Sequence, residues 1–161
     1  MECLHVVTTG VREPTSAVVT GSCVNHDVGR GCYADTRARA DGLRALELAD
    51  RAAPAAKAKA RALALAYLGS AERRLQLLRA ARGHLEQHLA EGGVLRDPLL
   101  EAQAECDLGD VLFLAADCAS ARRHHESSLA RLAALPRPDP RRMAYVRERL
   151  GDDLERLGDD A

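Results

Sequence analysis

A short motif occurs twice in this chain of 161 residues. The pattern is L-G-D-x-L-x-x-x-[A/G]-D, and it begins at Leu108 and again at Leu150, 42 residues later. A motif that returns at a fixed spacing is typical of a protein built from repeated structural units. The spacing is long enough for two helices and their turns, so this repeat constrains the fold more than any other feature of the sequence.

A second pair of stretches shows the same repeat at a spacing of 40. The stretch AARGHLEQHLA, from Ala80, aligns with SARRHHESSLA, from Ser120, and the two share Ala, Arg, His, Glu and Leu at matching positions. The same spacing places Leu68-Gly69 beneath Leu108-Gly109. Each unit therefore has Leu-Gly inside one helix, a short turn, and then an Ala-led helix. This order predicts successive helical hairpins.

The composition also favours helices. From about residue 34 onward the chain is rich in Ala, Leu, Arg and Glu, with apolar positions three and four apart, which is the helical period. The chain is 47% hydrophobic but only 2% aromatic, so we expect a core of Ala, Leu and Val. Pro and Gly break the pattern near residues 54, 92, 98 and 138. The predicted helices span residues 34–51, 55–74, 76–91, 97–115, 118–134 and 140–157.

The glycines inside the helices indicate close packing. A glycine in mid-helix costs about 1 kcal/mol relative to alanine, so Gly69, Gly109 and Gly151 are predicted contact points, with Ala81 and Ala121 facing them from the partner helices. Because one hairpin cannot cover its own apolar face, hairpins stack and leave a concave surface. We expect residues 31–161 to form an all-α stack of antiparallel helical hairpins with about six helices.

Residues 1–30 read differently from the rest. They are rich in β-branched residues and interrupted by Gly, with the similar runs VVTTGV and VVTGSCV on either side of Pro14. Two strands alone are only marginally stable. We therefore predict either a weak hairpin or a flexible segment here.

Charge and cysteine usage limit the classes of partner. The 23 basic and 24 acidic residues give a formal net charge of -1, which exerts no overall attraction toward nucleic acid or an acidic membrane surface. The five cysteines form neither a C-x-x-C pair nor a dense framework, which fits a reducing cytoplasm. No apolar run approaches the roughly 18 residues of a membrane span. We expect a cytoplasmic protein with no membrane partner, no direct nucleic-acid partner and no cofactor.

Several residues resemble the tetratricopeptide repeat at its Leu-Gly, large apolar, Gly-Asp, Ala and apolar positions: Leu108, Gly109, Leu112, Ala116, Asp117, Ala121 and Leu129. The resemblance implies stacked helical hairpins that bind a protein or peptide. The period of 40 to 42 exceeds the usual 34 and is similar to the longer repeats in the sensor halves of bacterial transcriptional regulators. His125 stands where the family usually has an aromatic or apolar residue.

In tetratricopeptide repeats the first helix of each pair lines the binding groove. The positions of this chain that match are Arg73, Arg74, Gln103, Cys106, Asp110, Phe113, Tyr145, Glu148, Asp152 and Glu155. This predicted groove changes from basic to acidic along its length, which suits an extended peptide or a partner helix of opposite polarity. The competing interpretation is that these are ordinary solvated helix charges. The predicted function is a protein- or peptide-binding scaffold in bacterial regulation, and the alternative is a sensor fragment of a transcriptional regulator.

Histidines suggest a further alternative. His84 and His88 lie four residues apart on one helix, and the repeat supplies His124 and His125, so a compact bundle that binds a metal or small ligand is a competing hypothesis. The chain has no H-E-x-x-H, and we predict no metal site. It also has no P-loop, no G-x-S-x-G and no G-x-G-x-x-G. We therefore predict no catalytic residues and no enzymatic activity.

Overall fold

The structure, a computed structural model, describes residues 26–91 and 95–158. In this described part the chain forms six helices and no strand. The helices are α1 (His26–Asp50), α2 (Pro54–Arg74), α3 (Leu78–Ala90), α4 (Pro98–Leu114), α5 (Cys118–Ala133) and α6 (Pro140–Leu157). The predicted all-α class and six helices are confirmed.

The first helix starts earlier than the sequence pattern predicts. It begins at His26 rather than near residue 34, so the end of the segment 1–30, predicted to be a hairpin or flexible, is helical. The pattern missed this start because HDVGRGCY contains two glycines and little Ala or Leu, which lowers the intrinsic helix preference. The hairpin predicted for the rest of that segment lies outside the described residues.

Each helix packs against its neighbours in the chain, and alternate helices differ in what else they contact. α2 contacts α4, and α4 contacts α6, whereas α1, α3 and α5 make no contact with one another in the described part of the chain. We call α2, α4 and α6 the inner helices and α1, α3 and α5 the outer helices. The functional residues discussed below lie mainly where the inner helices meet.

All three inner helices begin with a proline. Pro54, Pro98 and Pro140 each occupy the first turn, where the missing N–H of proline costs nothing because that N–H has no helical partner. The carboxylates of Asp97 and Asp139 accept hydrogen bonds from two backbone N–H groups in the first turns of α4 and α6. The prolines that break the sequence pattern therefore mark helix starts.

The inner helices also end in the same way. Gln76, Ala116 and Gly158 have φ angles of 59°, 63° and 72°, and they follow α2, α4 and α6 at the spacings of the sequence repeat. After α4 the N–H of Asp117 donates to the carbonyl of Leu112 at 2.9 Å, as in a Schellman motif. After α2 and α4 the left-handed residue turns the chain into the next helix.

The core consists of Ala, Leu and Val, as the composition predicts. One buried cluster joins α3, α4 and α5 and contains Ala81, Leu85, Ala104, Leu108, Val111, Leu112 and Ala121. A second joins α4, α5 and α6 and contains Ala102, Cys106, Leu132 and Val146.

The helix glycines are contact points, but their partners differ from those predicted. A Cβ at Gly69 would lie 2.6 Å from the Cγ of Leu85, and one at Gly109 would lie 2.4 Å from the Nε2 of His125. These partners lie one helical turn beyond Ala81 and Ala121, the residues predicted to face the glycines. A Cβ at Gly151 would meet nothing within 4 Å in the described structure, so the prediction of a contact there is wrong for these residues.

The repeat is visible in hydrogen bonds as well as in the sequence. The Nδ1 of His88 lies 2.8 Å from the carbonyl oxygen of Ala62, and at the equivalent position the hydroxyl of Ser128 donates to the carbonyl oxygen of Ala102 at 2.7 Å. Each bond joins an outer helix to the inner helix before it. Two different side chains therefore perform the same structural task 40 residues apart.

An ion pair recurs with its charges exchanged. In the first unit Arg61 of α2 lies 2.9 Å from Glu91 after α3. In the second, Glu101 of α4 pairs with Arg131 of α5. The positions match at the spacing of 40, but the acid and the base have changed helices. A pair of opposite charges is preserved at this contact, although the residue at each of the two positions has changed.

Candidate functional site

A polar network connects the inner helices α2 and α4. The Nε of Arg73 lies 2.8 Å from Oδ1 of Asp107, and its Nη1 lies 3.0 Å from Oδ2 of Asp110. Both carboxylates are buried, with exposures of 1% and 7%, and the Ser70 hydroxyl also donates to Asp107. Burial alone would lower the pKa of Arg73, but the two carboxylates raise it above its usual value. Arg73 therefore compensates two buried negative charges.

The inner helix α6 joins the same network. The hydroxyl of Tyr145 donates to Oδ2 of Asp110 at 3.0 Å, and Nη1 of Arg142 donates to the side-chain oxygen of Gln103 at 2.8 Å. Burial and the nearby Asp110 raise the pKa of Tyr145 to about 12, which keeps the phenol a hydrogen-bond donor. Four of the predicted groove residues, Arg73, Gln103, Asp110 and Tyr145, are thus brought together.

Two other predicted groove residues have partners elsewhere. The Nε of Arg74 lies 2.6 Å from Asp35 of the outer helix α1, and Asp152 lies 3.0 Å from Nη1 of Arg149 on its own helix. These local pairs, together with the pairing of Arg73 and Asp110 described above, neutralise most of the predicted gradient from basic to acidic.

Phe113 and Glu155, also predicted to line the groove, do not join the network. The guanidinium of Arg156 lies 4.2 Å from the ring centroid of Phe113, a cation–π contact, and Phe113 packs against the first core cluster. Glu155 is exposed. The predicted groove residues therefore form one contacting group near the middle of the inner helices and several separate pairs around it.

A buried histidine extends the network toward the core. The Nδ1 of His125 lies 2.6 Å from Oδ2 of Asp153, and its Nε2 lies 3.5 Å from Oδ1 of Asp110. Burial would lower the pKa of His125, but the carboxylates of Asp110 and Asp153 raise it. The sequence analysis did not assign Asp107 or Asp153 to any site. The signal that points to Asp153 is His125 itself, because a polar residue at a normally apolar position needs a polar partner.

The other three histidines of the metal hypothesis each have a separate partner. The Nδ1 of His84 lies 2.7 Å from Glu72, and the Nδ1 of His124 lies 2.7 Å from Glu105, while His88 contacts a backbone carbonyl as described above. Because these partners lie in different places, the four histidines do not converge on one site in the part of the chain that the structure describes.

A pocket of about 270 Å³ opens beside the network, between α4, α5 and α6. It is lined by Ala102, Gln103, Cys106, Ser128, Leu132, Arg141, Arg142, Tyr145 and Val146. Its floor is apolar, while two arginines and a tyrosine stand on the α6 side. The lining therefore offers apolar contacts on one side and hydrogen-bond donors on the other.

One repeat position carries a row of side chains across the inner helices. Leu63, Gln103 and Tyr145 are equivalent in the three repeats, and Leu63 and Tyr145 are 42% and 40% exposed. One turn beyond Leu63, Tyr67 is 61% exposed, whereas its equivalent Asp107 is covered by Ser70 and Arg73. We call Leu63, Tyr67, Gln103 and Tyr145 the inner-helix row.

Comparison of the chain with family models, with curated proteins and with solved structures finds no match. Among the helices of residues 26–91 and 95–158, none combines the length and the apolar character that a membrane crossing requires. The contacts and exposed surfaces of the chain itself are therefore what indicates its function.

Proposed function

We propose that this chain is a helical-repeat scaffold, similar to tetratricopeptide repeats, that binds a segment of a partner protein across its inner helices. The contacts that recur at a spacing of 40 support the repeat: Gly69 with Leu85, then Gly109 with His125. The resemblance of the repeat to bacterial regulators extends the proposal to a regulatory role in the cytoplasm.

The inner-helix row is the observation that carries the proposal. Leu63 and Tyr145 are exposed at equivalent places on α2 and α6, and Tyr67 is exposed one turn beyond Leu63. The equivalent residue on α4, Gln103, is half-buried. Tyrosine supplies a large contact area and a polar tip at little cost in conformational entropy, and it is enriched in protein interfaces. The inner-helix row crosses three helices, and an extended segment of another protein fits such a surface.

The polar network gives this surface a rigid base. Arg73, Asp107 and Asp110 compensate one another, so their charges are not available to a partner without breaking buried pairs, which is costly. We infer that the row supplies most of the affinity and that the network holds the helices that carry it. Arg141 and Arg142, beside the pocket, add positive charge that favours an acidic residue in the partner.

The test is capture of the partner from the source cell with matched variants. The complete chain is used as bait beside Leu63→Asp and Tyr67→Asp, and Leu48→Asp is the control because Leu48 is 56% exposed but lies on the outer helix α1. We expect a protein that binds the natural chain and the Leu48 variant but is lost from both inner-helix variants. Melting temperatures of all four chains establish that they are folded. If the same proteins bind to every bait, or if none binds the natural chain, the proposal is wrong.

A further inference from the structure

Three side chains at the buried end of the polar network hold possible metal-ligand atoms close to one another. In the part of the chain that the structure describes, one such group exists: Cys106, Asp110 and His125. The thiol sulfur, a carboxylate oxygen and a ring nitrogen all lie within 4.8 Å of one another, and all three residues are buried. Thiolate, carboxylate and imidazole together are ligands that zinc takes in proteins.

The histidine is oriented as a metal ligand usually is. Asp153 lies 2.6 Å from Nδ1 of His125, and because an ionised carboxylate only accepts, Nδ1 carries a hydrogen. The Nε2 atom is buried and has no hydrogen-bond partner in the described structure, and it is directed toward Asp110. Around protein-bound zinc, a histidine ligand commonly donates from one ring nitrogen to a carboxylate and binds the metal through the other. The Nε2 atom of His125 is available for that second role.

Asp110 also has one oxygen available. Its Oδ2 accepts from Arg73 and Tyr145, while Oδ1 lies 3.5 Å from Nε2 of His125, too far for a strong hydrogen bond. Two ligand atoms at this separation, each about 2.1 Å from a common ion, would subtend nearly a tetrahedral angle at that ion. The separation is therefore one that a shared zinc ion fits with little movement.

We propose that Cys106, Asp110 and His125 bind a zinc-like divalent cation, with Asp153 as a positioning residue for His125. Cys106 also lines the pocket between α4, α5 and α6, so the pocket supplies an entry path, and the fourth coordination position is filled from that side by water or by a ligand atom. This site is independent of the proposed binding of a partner protein.

Binding of the ion releases protons. Burial raises the pKa of the Cys106 thiol to about 12, so without a metal the group is a neutral thiol at pH 7, and the incoming cation displaces its proton to solvent. An imidazolium form of His125 loses its Nε2 proton in the same step. Metal affinity therefore increases with pH.

Cobalt(II) is the probe that tests the site, because its spectrum reports both geometry and thiolate ligation. The complete chain is prepared with Cys3, Cys23 and Cys32 replaced by serine, which leaves Cys106 and Cys118 as its only thiols. We expect one equivalent of cobalt to give a thiolate charge-transfer band and the intense visible bands of four-coordinate cobalt. Cys106→Ser abolishes the charge-transfer band, and Asp153→Asn weakens binding about 10- to 100-fold.

Two variants serve as matched controls. Cys118→Ser removes the other thiol, and His124→Gln removes the histidine adjacent in sequence, and we expect both to leave the cobalt spectrum unchanged. Circular dichroism reports whether each variant is folded. If a ligand variant does not fold, the test rests on the cobalt spectrum of the parent chain with the three serine replacements. A charge-transfer band in that spectrum supports the site, and the weak spectrum of six-coordinate cobalt overturns it. The proposal is also wrong if Cys118→Ser loses the charge-transfer band as completely as Cys106→Ser does. It is wrong as well if zinc raises the melting temperature of the chain no more than magnesium does.

Discussion

The imidazole of His125 lies directly against the backbone of Gly109, where an added Cβ would be 2.4 Å from Nε2. The same relation holds one repeat earlier between Leu85 and Gly69. In both units a glycine on an inner helix accepts a large side chain from the next outer helix. In the second unit that side chain is ionisable, and its partners turn a packing contact into a buried polar cluster.

Alanine substitution at the helix glycines should distinguish the effect of packing on stability from the effect of helix propensity. Gly109→Ala should lower the free energy of unfolding by roughly 1–3 kcal/mol, because the new methyl group displaces His125 from its partners. Gly151→Ala, in the same motif, should raise it by up to about 1 kcal/mol, because Gly151 is exposed with nothing within 4 Å among the described residues. Denaturant unfolding measures both. Equal effects at the two positions would contradict this account of the glycines.

The buried pair of His125 and Asp153 should be replaceable by the residues of the other repeats. In a metal-free buffer, Asp153→Val alone should destabilise the chain by roughly 2–3 kcal/mol, because it leaves the imidazole without its acceptor. The double variant His125→Leu with Asp153→Val introduces the equivalents Leu85 and Val111, and it should be within about 1 kcal/mol of the natural chain. A double variant as unstable as the sum of the single changes would show that the polar pair itself is required.

Acid should destabilise the chain partly through Glu105. Burial would raise the pKa of Glu105, but hydrogen bonds from His124 and Ser127 hold it below the usual 4.5. A lowered folded-state pKa means that this stabilisation is present above the unfolded value and is lost as the pH falls through the folded one. Glu105→Gln should therefore be less stable than the natural chain at pH 7, with the difference shrinking below pH 4. Unfolding free energies across this range measure it, and a difference that does not change with pH would contradict the assignment.

The turn after α4 offers a test of backbone strain. Ala116 has a φ of 63°, a left-handed conformation that costs an L-residue about 1–2 kcal/mol. Ala116→Gly should therefore keep or raise stability, by up to about 1 kcal/mol after the entropy of glycine in the unfolded chain is included. Ala130→Gly, at an exposed helical position of α5, should lower stability by about 1 kcal/mol. Thermal unfolding of both variants measures this, and a loss of stability at Ala116 would contradict the turn geometry.

The helix boundaries could be predicted because they depend on local chemistry. Pro54, Pro98 and Pro140 begin the inner helices, and a proline acts on the backbone of its own turn whatever surrounds it. The turns after α2 and α4 lie where the Leu-Gly repeat predicts them. His26 was missed as a helix start because the residues after it have a weak intrinsic preference.

The polar cluster could not be predicted, because its members come from different helices. Asp107 and Asp153 look like ordinary surface charges in the sequence, and they are buried because Arg73 and His125 approach them from other helices. The sequence spacing also placed Ala121 rather than His125 opposite Gly109, an error of one helical turn. Periodicity identifies a face of a helix, but the height at which two helices meet depends on the packing of the whole unit.

The proposed interaction surface is tested most directly by a photo-reactive amino acid placed in the complete chain and irradiated in the source cell. Position 67 lies in the inner-helix row, and position 48 is a comparably exposed site on α1. If a partner segment lies across the inner helices, a specific protein should crosslink to position 67 and be absent at position 48. Crosslinking of the same proteins at both positions, or of none at position 67, would contradict the proposal that this chain is a binding scaffold.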